Sequence, residues 1–198
     1  MKYLALGDSY TIGELVPLNQ NFPNQVVSLL QEKGKDCRLD KLIAVTGWTT
    51  DELAIAIEKE RPAFDYDIVT LLIGVNNQYR EKSQEEYRWQ FYTLLCQAIL
   101  FANGNPKHVL VLSIPDWGLT PFNTSRDAQL TSAQIDAFNA INQSITFDLG
   151  SNYIDVTNSS REHATDKNFL AEDLLHYSAN EYTIWAKKVI EIILSWKA

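Results

Sequence analysis

The chain has 198 residues, 45% of them hydrophobic and 21% charged, with 25 acidic side chains against 17 basic ones and a formal net charge of −8. This balance excludes a disordered chain and, with no basic cluster to release counterions, disfavours duplex nucleic acid and anionic membrane surfaces as partners. The length suits a single domain over residues 1–198, and a small neutral or weakly charged molecule is the expected partner.

In chain order, residues 3–6 form a short apolar run that reads as a central strand. It breaks at Gly7 and delivers Asp8 and Ser9 just past its carboxyl end, where open α/β sheets bind their ligands. Taken alone, Gly7-Asp8-Ser9 also reads as a strand-to-helix turn in which the acid and hydroxyl only cap backbone N–H groups. The four-residue run falls short of a signal-peptide core, and no apolar run approaches the ~20 residues needed to cross a bilayer. A cytoplasmic protein without stable membrane insertion is expected.

A helix is predicted from about Asn21, turning Val26, Val27, Leu29 and Leu30 to the core and stopping near Gly34. Residues 39–45 read as a strand closing on Thr46-Gly47-Trp48-Thr49. Thr49 and Glu52 then have the capping-box spacing that opens a helix over 53–61, with Pro62 just past it. The run over 67–73 suits a parallel strand buried on both faces and ends in Gly74-Val75-Asn76-Asn77. A second box, Ser83 to Glu86, opens a helix reaching about Phe101, and residues 108–113 form the fourth strand.

The stretch to Leu130, with Pro121, Asn123 and Ser125, has the length of a lid or binding loop. Thr131 to Gln134 is read as the cap of the next helix, whose Ile135, Phe138, Ile141, Ile145 and Leu149 follow helical spacing. A fifth strand is expected over 152–156 and a long polar loop over 157–168. Ser178 and Glu181 form a last box before a helix carrying Trp185, Val189, Ile192 and Trp196. Cys37 and Cys96 lack metal or redox spacing, and Cys96 reads as a buried thiol. The alternation predicts a three-layer α/β/α fold with a five-stranded parallel sheet of flavodoxin-like type.

Parallel strands share one carboxyl edge, so Ser9, Gly47, Asn76 and the region of His176 can gather there. A hydroxyl, a side-chain amide, an imidazole and an acid three residues before it, Asp173, are the parts acyl transfer needs. Serine requires a base, and free imidazole, titrating near ~6.5, serves at neutral pH. His108 precedes its strand and belongs to the other edge, whereas His163, with Asp166 three residues on, competes with His176. No Gly-x-Ser-x-Gly elbow, His-Glu-x-x-His motif or P-loop is present.

These blocks resemble the SGNH hydrolases, or GDSL esterase/lipase family, in the same order over residues 4–180. Gly7-Asp8-Ser9 with Gly13 matches the first block, Gly47 the second, Gly74-Val75-Asn76-Asn77 the third and Asp173-Leu174-Leu175-His176 the last. Ser113-Ile114-Pro115-Asp116-Trp117-Gly118 is similar to a further stretch common in the family. The resemblance implies Ser9 as nucleophile, His176 as base and then acid, and Asp173 as its orienting partner. It also implies an oxyanion hole from the N–H groups of Ser9 and Gly47 and the Asn76 amide, with no metal and no cofactor. The acid-before-base spacing then selects His176 over His163, and Asp173 over Glu172.

Three positions depart from the family's usual residues: Asn77 stands for Asp, Leu174 for Gly and Tyr177 for Pro. Tyr10, Tyr79, Trp117, Phe122 and Tyr177 are candidate pocket residues. The expected activity is hydrolysis of small or medium acyl esters; an acyltransferase or a non-catalytic binding module on the same fold are the alternatives.

Overall fold

A computed structural model describes residues 1–196. Strands β1 (Lys2–Gly7), β2 (Arg38–Ala44), β3 (Ile68–Leu72), β4 (Val109–Leu112) and β5 (Asn152–Ile154) form one all-parallel sheet in the order β2-β1-β3-β4-β5. All residues of β3 and β4 are buried, as their unbroken runs of branched aliphatic residues require between two helical layers. Thr70 is the one hydroxyl within β3, and it bonds Tyr3 Oη across the β1–β3 pair at 2.8 Å, so both buried groups are satisfied.

Eight helices accompany the sheet among the described residues: α1 (Ser9–Ile12), α2 (Phe22–Glu32), α3 (Thr50–Glu60), α4 (Val75–Tyr79), α5 (Gln84–Phe101), α6 (Ala128–Asp148), α7 (Thr157–Glu162) and α8 (Ala179–Ser195). Helix α2 packs on α8 and helix α5 on α3 and α6, with helices on both sides of the sheet. The predicted cap forms at α5, where Ser83 accepts the Glu86 N–H at 3.1 Å, and α2 starts near the predicted position with Asn21 accepting the Asn24 N–H at 3.0 Å. At α3 the Glu52 carboxylate reaches back to the Thr49 N–H at 2.9 Å.

Four expectations need correction. Helix α6 begins at Ala128, a turn before the predicted Thr131 cap, because the Asp127 carboxylate accepts the Leu130 N–H at 2.8 Å. The supposed polar loop after β5 contains α7, whose Thr157, Ser159 and Ser160 are buried and spend their hydroxyls on interior acceptors. Glu181 does not close a capping box with Ser178. Its carboxylate is fully buried and accepts from Ser159 Oγ at 2.6 Å and Trp185 Nε1 at 2.8 Å, and it pairs with His163 Nδ1 at 2.7 Å. Three interior partners outcompete one exposed backbone N–H only when the helix is already docked, which sequence spacing does not encode. Cys96 is half-buried rather than buried.

Candidate active site

The strand order reverses direction between β1 and β3, since β1 leads to β2 on one side while β3 leads to β4 on the other. A crevice opens at the carboxyl ends of such neighbours. Ser9 leaves β1 on one side of it and Asn76 leaves β3 on the other. A cavity of about 200 Å³ lies there, lined by Ser9, Gly47, Asn76 and His176 together with Tyr79, Trp117 and Phe122. Pieces from both ends of the chain therefore meet at one rim.

The turn that presents Ser9 is closely packed. A Cβ on Gly7 would lie 2.1 Å from Thr11 Oγ1 and 2.4 Å from the Leu72 carbonyl, so only glycine fits. Asp8 caps α1, its Oδ1 accepting the Tyr10 N–H at 3.1 Å. The side chain is fully buried and its Oδ2 has no partner among the described residues. Burial pushes this carboxyl up to about 7, against the pull of the Tyr10 N–H. Among the described residues, the N–H of Ser9 itself donates to no protein acceptor.

Asp173 and His176 share one turn ahead of α8. Asp173 Oδ1 accepts the backbone N–H groups of Leu175 and His176, each at 3.0 Å, while Oδ2 meets His176 Nδ1 at 2.6 Å. Partial burial raises the Asp173 carboxyl, but the imidazole and the two backbone donors outweigh it and hold it below its ordinary value. With Nδ1 donating to the carboxylate, the neutral ring carries its lone pair on Nε2, and the ring lines the cavity. No hydrogen bond joins the Ser9 hydroxyl to this ring among the described residues; in unliganded enzymes such bonds commonly tighten only with substrate. Leu174, where the family has Gly, holds the turn at φ +58°.

Asn76 Nδ2 donates one hydrogen to the Trp48 carbonyl at 2.9 Å, which leaves its second hydrogen for the cavity. Gly47 adopts φ +86°, and its carbonyl is held by Arg80 at 2.6 Å. Arg80 in turn pairs with Glu52 at 3.3 Å, and Glu52 holds the Thr49 N–H, so the loop after β2 is braced from outside. Asn77 is fully buried and locks both ends of Thr50: its Oδ1 accepts the Thr50 N–H at 3.1 Å and its Nδ2 donates to Thr50 Oγ1 at 2.7 Å. An uncharged amide serves there because Thr50 offers both a donor and an acceptor.

The other histidines lie elsewhere. His163 is held by Glu181 and stacks on Phe169 at 3.8 Å, and Asp166 bonds the Asn168 N–H instead of any histidine. His108 stacks on Trp196 ahead of β4. Glu172 is exposed, whereas Asp173 is bonded to the ring. Of the aromatic candidates, Tyr10, Tyr79, Trp117 and Phe122 line the cavity; Tyr177 does not, being buried in the core against Tyr10 and Trp185. Thr46, Val75 and Leu175 also line it, and the brace Arg80 supports it from behind. Nothing in the sequence marked Arg80, because its partners lie 28 to 33 positions away.

A profile of the GDSL-like lipase/acylhydrolase family matches residues 5–184. The chain belongs to that family. This GDSL-like acylhydrolase is accordingly a carboxylic ester hydrolase. Solved structures share its fold. The acetylxylan esterase Axe2 from Geobacillus stearothermophilus superimposes with a TM-score of 0.76 at 19% identity, over 99% of this chain and 94% of that one. A lipase/acylhydrolase from Enterococcus faecalis gives 0.73 at 18% identity, over 97% and 94% of the two chains. The psychrotrophic esterase EstA from Pseudoalteromonas sp., in a structure inhibited by monoethylphosphonate, gives 0.70 at 13% identity over 98% and 97%. No curated protein matched the sequence. No helix among the described residues is long and apolar enough to cross a membrane, and none of their His, Cys, Asp and Glu side chains gather in threes as a metal site.

Proposed function

We propose that this GDSL-like acylhydrolase cleaves small or medium acyl esters through an acyl-serine formed on Ser9. The Ser9 hydroxyl attacks the acyl carbonyl while His176 Nε2 takes its proton, and Asp173 holds the ring in the required tautomer and stabilises the imidazolium. The bond to the alcohol oxygen then breaks as His176 returns the proton to it. Water, deprotonated by the same ring, attacks the acyl-serine, releases the carboxylic acid and restores Ser9. Charge developing on the carbonyl oxygen is taken by the N–H groups of Ser9 and Gly47 and by the Asn76 amide.

The observation that carries this reading is the 2.6 Å contact of Asp173 with His176 Nδ1, on a ring that lines the same cavity as Ser9, Gly47 and Asn76. Among the described residues neither the Ser9 nor the Gly47 N–H donates to a protein acceptor, which supports the oxyanion assignment. Axe2, named as an acetylxylan esterase, supports including acetylated sugars beside simple alkyl esters, thioesters and lysophospholipids when substrates are compared.

A fluorophosphonate probe tests the mechanism. Wild-type protein should label stoichiometrically, Ser9→Ala should not, and a folded wild type that remains unlabelled would overturn the serine route. In parallel, His176→Ala should abolish turnover while His163→Ala retains most of it; the reverse result would reassign the base.

A further inference from the structure

At about 200 Å³ the cavity is smaller than the ~300–1,000 Å³ typical of sites that enclose drug-sized ligands. That suits an acyl group of a few carbons and leaves a fatty chain outside. One wall is aromatic: Tyr79 meets Trp117 edge-on with ring centres 5.2 Å apart, and Trp117 meets Phe122 at 6.3 Å. Trp117 is fixed, being buried with its Nε1 donating to Gln78 Oε1 at 2.8 Å. Phe122 is 41% exposed; its N–H donates to the Leu174 carbonyl at 3.3 Å and its carbonyl accepts the Thr124 N–H at 2.9 Å.

Beside the Trp117–Gln78 bond, the tie between α4 and the Phe122 end of this segment is Arg126. Its guanidinium lies 4.6 Å from the Tyr79 ring centre and 5.5 Å from that of Trp117, and it donates to the Tyr79 carbonyl at 2.9 Å. The Arg126 N–H also bonds Asn123 Oδ1 at 3.1 Å, while Asn123 Nδ2 holds the Gly118 carbonyl at 2.8 Å, so the segment moves as one piece. An ion pair does not account for this placement: the nearest carboxylate is Glu81, 4.0 Å away and 79% exposed. Arg126 itself does not line the cavity.

We propose that Arg126 is a positioning residue that sets short-acyl selectivity by pinning the Phe122 side of the aromatic wall toward Tyr79. The proposal rests on the ester-hydrolase site described above and narrows its substrates to short acyl esters. Without the guanidinium the segment is free to swing outward, the cavity lengthens, and longer acyl chains gain entry.

The test compares p-nitrophenyl acetate, butyrate, octanoate and decanoate on wild type, Arg126→Ala and Phe122→Ala, with the melting temperature of each variant recorded. Wild type should favour butyrate over decanoate by at least ~10-fold in kcat/KM, since several methylenes find no wall to contact. In Arg126→Ala that preference should shrink by about fivefold to tenfold, the range spanned by a lost stacked cation and one hydrogen bond. The change should appear as a lower KM for decanoate. Phe122→Ala, which removes the wall directly, should relax the preference in the same way. A folded Arg126→Ala with an unaltered chain-length ratio, or one that loses all esters in equal proportion, overturns the proposal. So does a wild type that prefers decanoate. If fluorophosphonate fails to label Ser9, the mechanism fails first; if labelling succeeds and the ratio does not move, only the role of Arg126 fails.

Discussion

Asp8 sits next to Ser9 and has one carboxylate oxygen paired and one buried without a partner among the described residues. An acid whose folded pKa lies above its unfolded value holds a proton in the native state that the unfolded chain has released. The stabilisation from Asp8 is thus fully present below ~4, declines as pH rises toward about 7, and is gone above it. Asp8→Asn keeps an oxygen for the Tyr10 N–H and removes the charge. It should therefore raise the melting temperature relative to wild type at pH 8, by an amount that shrinks as pH falls to 4.5. The shift corresponds to at most roughly 4 kcal/mol. A melting-temperature difference that stays constant across that range would show that Asp8 ionises freely where it lies.

At the scale of elements, the site depends on how two loops are clamped. Asn77 after β3 satisfies the N–H and hydroxyl of Thr50 at the start of α3, and all these atoms are buried. Asn77→Ala strands the buried Thr50 N–H, while the Thr50 hydroxyl keeps its bond to Gln90 Oε1, and the loss costs about 1–3 kcal/mol. For a chain of this size the melting temperature should drop by roughly 4–8 °C for 2 kcal/mol, and kcat should fall with it because Asn76 and the turn carrying Gly47 lose their common anchor. Scanning calorimetry and a single-ester assay check both; an unchanged melting temperature would mean the clamp is dispensable. The strands here were legible because β3 and β4 are near-unbroken branched aliphatic runs, and the starts of α2, α3 and α5 because their caps use neighbours in sequence. The acid and imidazole of Asp173 and His176 were legible for the same reason, lying three residues apart on one turn. Helix α7 was not, since its serines and threonine turn inward to partners such as Glu181 that only tertiary packing supplies. Arg80 and Arg126 escaped notice likewise: each stabilises a loop through carbonyls and rings far along the chain.

For the whole molecule, the convergence of chain ends at one rim makes the last helix part of the site's foundation. Trp185 of α8 is fully buried and contacts Phe22 of α2, Tyr10 beside Ser9, and Tyr177 beside His176, at ring-centre distances of 5.4 to 6.2 Å. Tyr182, Ala186, Val189 and Ile193 of the same helix are buried as well. Fully burying large apolar side chains contributes about 1.5–3 kcal/mol each, so α8 carries on the order of 10 kcal/mol, comparable to the entire stability of a typical domain. Glu181 adds a buried carboxylate whose loss would leave Ser159 and His163 without their partner. A chain ending at residue 178 keeps Ser9, Gly47, Asn76, Asp173 and His176, every group assigned to the chemistry, yet it should not fold. Far-UV circular dichroism and gel filtration should report an expanded or aggregated species that no fluorophosphonate labels. Within the full chain, Trp185→Ala should cost about 3–5 kcal/mol by opening a cavity between the turn carrying Ser9 and α2. A compact truncated protein that still labels at Ser9 would show instead that the rim assembles on the sheet alone and that α8 only covers it.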